Sequence, residues 1–71
     1  MKEEITTAER ATEIALAFAK KHWFLARPIK ASKEDGAWLV DVDVGALETK
    51  IGRIKIDAQT GKILEYNVPF D

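Results

Sequence analysis

The sequence predicts an α+β fold in which one N-terminal helix packs on a three- to four-stranded antiparallel β-meander. Apolar residues recur at helical spacing in the first third of the chain and alternate with polar residues in the rest. Between the last two alternating runs, residues 57–62 (DAQTGK) have the composition of a hairpin turn, with Gly61 where a positive φ is needed. We therefore expect residues 1–71 to form a single small domain.

The helix is predicted over residues 7–23, because no glycine or proline interrupts its apolar periodicity. Thr6 or Thr7 is the expected N-cap, and Glu9 stands three residues after Thr6, which is the spacing of a capping box. Lysine and histidine in the last turn suit the negative end of the helix dipole. The stripe that should face the sheet consists of Ala8, Ala11, Ile14, Ala15 and Phe18.

Four strands are predicted by alternation and by the turn residues between them. Their expected bounds are residues 28–33, 37–44, 50–57 and 62–68. In the second strand, Trp38 begins a run of alternate apolar residues that should pack on the helix near Ile14 and Phe18. Because buried aromatic rings dominate the stability of small domains, we expect Trp38, Phe18 and Tyr66 to lie in the core.

The facing of the last strand is open, because Ile63 and Leu64 are both apolar. In the arrangement that we favour, the residues directed toward the helix are Leu64, Tyr66 and Val68. Ile63, Glu65 and Asn67 then face outward. The opposite arrangement would bury Glu65, which costs free energy unless the carboxylate finds a partner.

Two aspartates lie on the outer face of the second strand, away from the helix. Asp41 and Asp43 should fall near Arg53 and Lys55 of the next strand, where opposite charges help to fix the register. A pair of carboxylates can bind a hard cation, but the basic neighbours favour a solvated face with charge pairs. The sequence therefore predicts no metal site.

The sequence contains no constellation that indicates catalysis. His22 is the only histidine, Ser32 is the only serine, and there is no cysteine, so a nucleophile with a general base cannot be assembled. We predict no catalytic residues, no cofactor and no enzymatic activity. The net charge of −1 without a basic patch argues against nucleic-acid binding.

The chain has no segment that suggests insertion in a membrane or export. The first residues, MKEE, are hydrophilic, and no apolar run is long enough to span a bilayer. The absence of cysteine favours a reducing compartment. The sequence as it stands indicates the cytoplasm, or an extracytoplasmic location if a leader was removed.

The end of the predicted helix carries more apolar residues than one sheet face needs. On a helical wheel Leu16 lies near Trp23 and away from Ile14, and Phe24 follows directly. We predict a surface of Leu16, Trp23 and Phe24 for a protein partner or for self-association. The alternative is that the Trp23 ring folds back over the edge of the core.

Three segments resemble the PepSY family, named for peptidase propeptides and a sporulation protein. They are the helix AERATEIALAFAKKH, the aromatic-led strand WLVDVDV and the hairpin IKIDAQTGKILEY, and the match as a whole covers roughly residues 8–68. The resemblance implies a small non-catalytic domain that binds or restrains a peptidase or another protein partner. Asp57, Thr60 and Gly61 match the family pattern and are most simply structural. A structural, homodimeric domain is the alternative function.

Overall fold

The computed structural model describes residues 7–67, which form one helix packed against a four-stranded antiparallel sheet. The elements are α1 (Ala8–His22), β1 (Arg27–Glu34), β2 (Ala37–Asp43), β3 (Ile51–Asp57) and β4 (Ile63–Asn67). The strand order β1-β2-β3-β4 follows the chain, so β1 and β4 are the edges. The predicted fold class is confirmed, and the bounds of each element differ from those predicted by no more than one residue. Val68, the predicted last residue of the final strand, lies outside the described residues.

Helix α1 begins and ends with capping bonds. The Oγ1 atom of Thr7 accepts a hydrogen bond of 3.1 Å from the backbone N–H of Arg10. At the other end, the N–H of Trp23 donates to the carbonyl oxygen of Ala19 at 2.8 Å. The N-cap is therefore Thr7, and the capping box predicted from Thr6 and Glu9 is wrong, because Arg10 stands three residues after the actual cap. Thr6 itself lies outside the described residues.

The core lies between α1 and one face of the sheet. Three alanines, one per helical turn, are fully buried on the helix side, and small side chains there let the backbones approach closely: Ala11, Ala15 and Ala19. The sheet contributes larger side chains: Trp38, Val40, Val42, Ile54 and Ile56. Trp38 is only 7% exposed, which confirms its predicted place in the core, and Ile14 and Phe18 pack against the same cluster. Ala8 is exposed and so is not part of the buried stripe.

Both turns that flank the central strands need left-handed backbone. Asp35 and Gly36, with φ of 45° and 76°, form the two-residue turn between β1 and β2. Gly61 has a φ of 77°, as predicted for the turn between β3 and β4. In that turn the Asp57 carboxylate accepts a hydrogen bond from the Gln59 N–H at 2.8 Å. Asp57 and Gly61 thus have the structural roles that the sequence indicates.

A β-bulge decides how β4 faces. Glu65 lies opposite Lys55, but Ile63 lies opposite Ile56, so Leu64 is an extra residue in the ladder. Glu65 and Asn67 face outward as expected. The prediction that Ile63 faces outward is wrong, because the bulge turns its side chain toward the core, against which it packs. The bulge thereby removes the choice between the two parities that the sequence left open.

Candidate partner-binding surface

Four aromatic rings meet where α1 ends beside β4, and we name Phe18, His22, Trp23 and Tyr66 the aromatic cluster. Phe18 and His22 are neighbours along the helix, with ring centroids 4.7 Å apart, because residues four apart share a helix face. Tyr66 joins from β4, since it lies opposite the buried Ile54 and therefore on the helix side of the sheet. Its ring is 4.9 Å from that of Phe18 and 6.3 Å from that of Trp23.

The aromatic cluster stands beside a strand that the helix does not cover. Helix α1 packs over β1 and β2 and reaches β3. Beyond it an open groove of about 570 Å³ runs along β4, lined by Phe18, Ile63, Leu64, Glu65 and Tyr66. Tyr66 is 51% exposed, so the expectation that it belongs to the core is wrong. The Tyr66 ring packs against that of Phe18, and about half of the Tyr66 residue surface stays open to solvent.

The structure distributes the three predicted surface residues over different environments. Leu16 is half-buried against the core, and its position two residues from Phe18 places it on the opposite flank of α1. Trp23 is also half-buried, and its ring joins the aromatic cluster rather than Leu16. Phe24 is 96% exposed. Trp23 therefore folds back over the edge of the core, as the alternative interpretation expected. Of the three predicted surface residues, only Phe24 is fully exposed to solvent.

His22 has contacts typical of a residue in a helix-end cluster. Its Nδ1 atom lies 3.2 Å from the carbonyl oxygen of Phe18, and its ring lies between those of Phe18 and Trp23. Ser32 is exposed on β1, on the edge of the sheet opposite to β4. The two residues that a nucleophile and base pair would need therefore belong to different parts of the molecule.

Ion pairs cover the outer face of the sheet. Arg53 on β3 lies opposite Asp41 on β2, and its Nε atom donates to an Asp41 carboxylate oxygen at 2.9 Å. This hydrogen bond raises the pKa of Arg53, and Asp41 is buried beneath the guanidinium. The predicted pairing of Asp41 with a basic residue of the next strand is therefore confirmed. Lys55 lies opposite Leu39 and Glu65, so it is not a cross-strand partner of Asp43.

Asp43 organises the loop between β2 and β3. Its carboxylate accepts hydrogen bonds from the backbone N–H groups of Gly45 and Lys50, each at 3.0 Å, and pairs with Arg27 of β1 at 3.0 Å. The bonds from Lys50 and then Gly45 hold the pKa of Asp43 below its usual value. Asp43 thus acts as a loop anchor. Within residues 7–67, no group of three or more His, Cys, Asp or Glu side chains is arranged to hold a metal ion.

Comparisons with known proteins identify no relative of this chain. No family model, no curated protein and no solved structure matches the chain. The resemblance to PepSY domains therefore stays a prediction that rests on the sequence pattern. Over the described part of the chain, no helix combines the length and the apolar character needed to cross a membrane.

Proposed function

We propose that this chain is a small non-catalytic domain that binds an extended segment of a protein partner along strand β4. The resemblance to PepSY domains makes a peptidase the first partner class to test, in the cytoplasm as the proposed setting. The observation that carries the proposal is the groove at the aromatic cluster, which runs beside the edge of the sheet. The two features supply different parts of a binding site.

The edge of β4 supplies backbone hydrogen bonds. Its other side pairs with β3, and the strand order places no further strand of residues 7–67 along the free side. An extended peptide that adds there as a fifth strand would satisfy the free N–H and C=O groups of β4. Alternate side chains of such a peptide would point to the helix side of the sheet.

The groove supplies the apolar contacts. Leu64 and Tyr66 are both about half exposed on the helix side, beside Phe18. Aromatic residues at the centre of an interface commonly contribute most of its binding free energy. A partner peptide with an aliphatic or aromatic side chain at alternate positions would cover both residues.

Self-association through the same edge is the second candidate, because Leu64 and Tyr66 could also be covered by a second copy. An antiparallel pair of β4 strands centred on Glu65 would place the two Glu65 side chains opposite each other, which is unfavourable. A pair centred on Tyr66 would instead oppose Glu65 and Asn67 and bring the two tyrosine rings together. The sheet edge thus favours one register for a homodimer.

A selection from a displayed library of random extended peptides tests the proposal. Peptides that bind should alternate apolar and polar residues, and their titration should shift the amide resonances of β4 but not those of β1. The variant Leu64→Lys should weaken their binding by about tenfold or more, since it places a charge in an apolar contact. The matched control is Ile29→Lys, which changes an exposed aliphatic residue on the other edge.

Two results would contradict this proposal. One is peptide binding that Leu64→Lys leaves unchanged, and the other is a set of shifted amides that lies on β1. Sedimentation equilibrium over a wide concentration range distinguishes self-association from peptide binding by a monomer. A homodimer through β4 should dissociate on dilution and in the Leu64→Lys variant. The sequence of a selected peptide can then be compared with surface segments of peptidases that co-purify with the chain.

A further inference from the structure

One end of the molecule presents two large apolar side chains directly to solvent. Phe24, in the connection from α1 to β1, is 96% exposed, and Leu47, in the loop from β2 to β3, is 102% exposed. Side chains exposed to this degree touch almost nothing else in the fold. Neither residue lines the groove along β4. These two positions are therefore separate from the proposed peptide site.

The two segments that carry Phe24 and Leu47 are tied together at their bases. The Nη2 atom of Arg27 donates to the Asp43 carboxylate at 3.0 Å and to the carbonyl oxygen of Gly45 at 3.2 Å. The loop from β2 to β3 is closed further by the bonds that Asp43 accepts and by a bond of 2.9 Å from the N–H of Val44 to the carbonyl oxygen of Lys50. The apolar tips are thus held on a fixed base at one end of the sheet.

Gly45 shows how tightly this loop is folded. A Cβ atom built at Gly45 would come within 1.7 Å of the carbonyl oxygen of Glu48. Any larger residue at this position would force the loop to open, so glycine is the only residue type that the backbone path of the loop allows. The position of Leu47 at the tip follows from a defined loop conformation.

The same end of the molecule is basic. It holds the second half of α1, the first residues of β1 and the loop between β2 and β3, which are residues 16–30 and 41–53. These segments contain six basic and three acidic residues, a net charge of +3 with His22 neutral. The remaining described residues contain four basic and six acidic residues, a net charge of −2. The basic residues of these segments are Lys20, Lys21, Arg27, Lys30, Lys50 and Arg53, of which Arg27 and Arg53 pair with Asp43 and Asp41.

We propose that this end docks on the surface of an anionic lipid bilayer. Phe24 and Leu47 would enter the boundary between headgroups and acyl chains, while the exposed side chains of Lys20, Lys21 and Lys30 contact acidic headgroups. Apolar insertion and electrostatic attraction are the two signals that together give stable peripheral binding. The finding that no described helix can span a bilayer is compatible with binding at its surface.

The form and charge of this end favour a lipid surface over a protein or a second copy. A protein partner would have to offer a separate pocket for each protruding side chain, whereas a bilayer accepts both without a matched shape. Two copies that met end to end through this surface would bring like net charges together. An anionic bilayer complements both the apolar tips and the positive charge.

Flotation of the full chain with vesicles tests this proposal. We expect binding to vesicles that contain phosphatidylglycerol, little binding to pure phosphatidylcholine vesicles, and weaker binding at high salt. The double variant Phe24→Ser/Leu47→Ser should bind at least about tenfold more weakly, because it removes two large apolar groups from the interface. The matched control is Leu64→Ser, which removes an exposed apolar side chain elsewhere and should bind vesicles like the wild type. Soluble glycerol phosphate should not compete, which distinguishes a bilayer from a free phosphate ligand.

Trp23 gives a second readout, since it precedes Phe24 in the chain. Its fluorescence should shift to shorter wavelength when the wild type binds anionic vesicles. Equal vesicle binding by the double variant and the wild type would overturn the proposal, as would equal binding to both lipid compositions or none to either. If the double variant binds vesicles like the wild type but no longer binds a selected peptide, the end belongs to a protein site and the lipid proposal is wrong. Peptide binding along β4 can succeed or fail independently of these results.

Discussion

Replacing Trp38 with alanine is expected to lower the free energy of unfolding by about 3–5 kcal/mol, the usual cost of removing a buried aromatic side chain. Trp38 is 7% exposed and belongs to the core cluster on β2. At about 0.05–0.15 kcal/mol per residue, a chain of 71 residues has a total stability of about 4–11 kcal/mol. The substitution should therefore remove a large share of the stability, and with a total near the lower end of that range it would leave much of the population unfolded at room temperature.

Urea denaturation followed by circular dichroism measures this loss, with Trp38→Phe as the variant that stays folded and loses less. Two controls separate the core from its surroundings. Trp23→Ala removes a half-buried ring and should cost about 1–2 kcal/mol. Lys33→Ala removes an amine that lies 6.0 Å from the Trp38 ring centroid, and should cost less than about 1 kcal/mol. A midpoint for Trp38→Ala equal to that of the wild type would refute the assignment of this face of β2 to the core.

Three further predictions concern the turn, the loop and metal ions. Gly61→Val should lower the free energy of unfolding by more than about 1 kcal/mol, because valine is strained at a φ of 77°. Gly61→Asn should cost less, because asparagine tolerates left-handed backbone better. Equal losses of stability for the two variants in thermal melts would contradict the turn assignment. Because the pKa of Asp43 is lowered in the folded state, its contribution to stability is present above about pH 4 and is lost as the pH falls through that lowered pKa. Asp43→Asn should therefore be less stable at neutral pH and lose less on acidification, as acid titration of the unfolding midpoint would measure; identical pH profiles would count against the loop-anchor role. Titration with calcium, magnesium or zinc should leave the melting temperature and the amide spectrum unchanged, and a saturable shift at Asp41 and Asp43 would show that the prediction of no metal site is wrong.

The sequence predicted the elements of this fold well where one periodicity dominated. Trp38 and the alternate valines after it could pack on the helix only if Asp41 and Asp43 lay on the other face of the sheet, so the core face of β2 followed directly. The facing of β4 was harder to predict, because Ile63 and Leu64 are adjacent and either of them could face the core. In the structure a bulge places both residues opposite the same part of β3, near Ile56. A bulge of this kind depends on tertiary packing and has no clear local signal.

The surface of Leu16, Trp23 and Phe24 was predicted less well, because it depends on the backbone direction after the helix and on contacts between distant strands. A helical wheel grouped Trp23 with Leu16, but Trp23 is the C-cap with extended backbone, so its side chain no longer follows the rotation of the helix. Its ring joined Tyr66, more than forty residues away in sequence. Asp43 likewise pairs with Arg27, which lies opposite it on β1, next to an irregularity that shifts the register between Pro28 and Lys30. Contacts that depend on register between strands cannot be read from alternation alone.

Both outer strands carry an irregularity, and this limits how copies of the chain can stack. The ladder of β1 shifts between Pro28 and Lys30, and that of β4 shifts at Leu64. A sheet with two flat, open edges can add copies at both sides and grow into a fibre, whereas a bulge twists the edge and shortens the stretch available for pairing. The lysines of β1, Lys30 and Lys33, add charge repulsion at one edge. A concentrated solution of this chain should therefore resist fibril growth, even though one edge remains available to a short peptide.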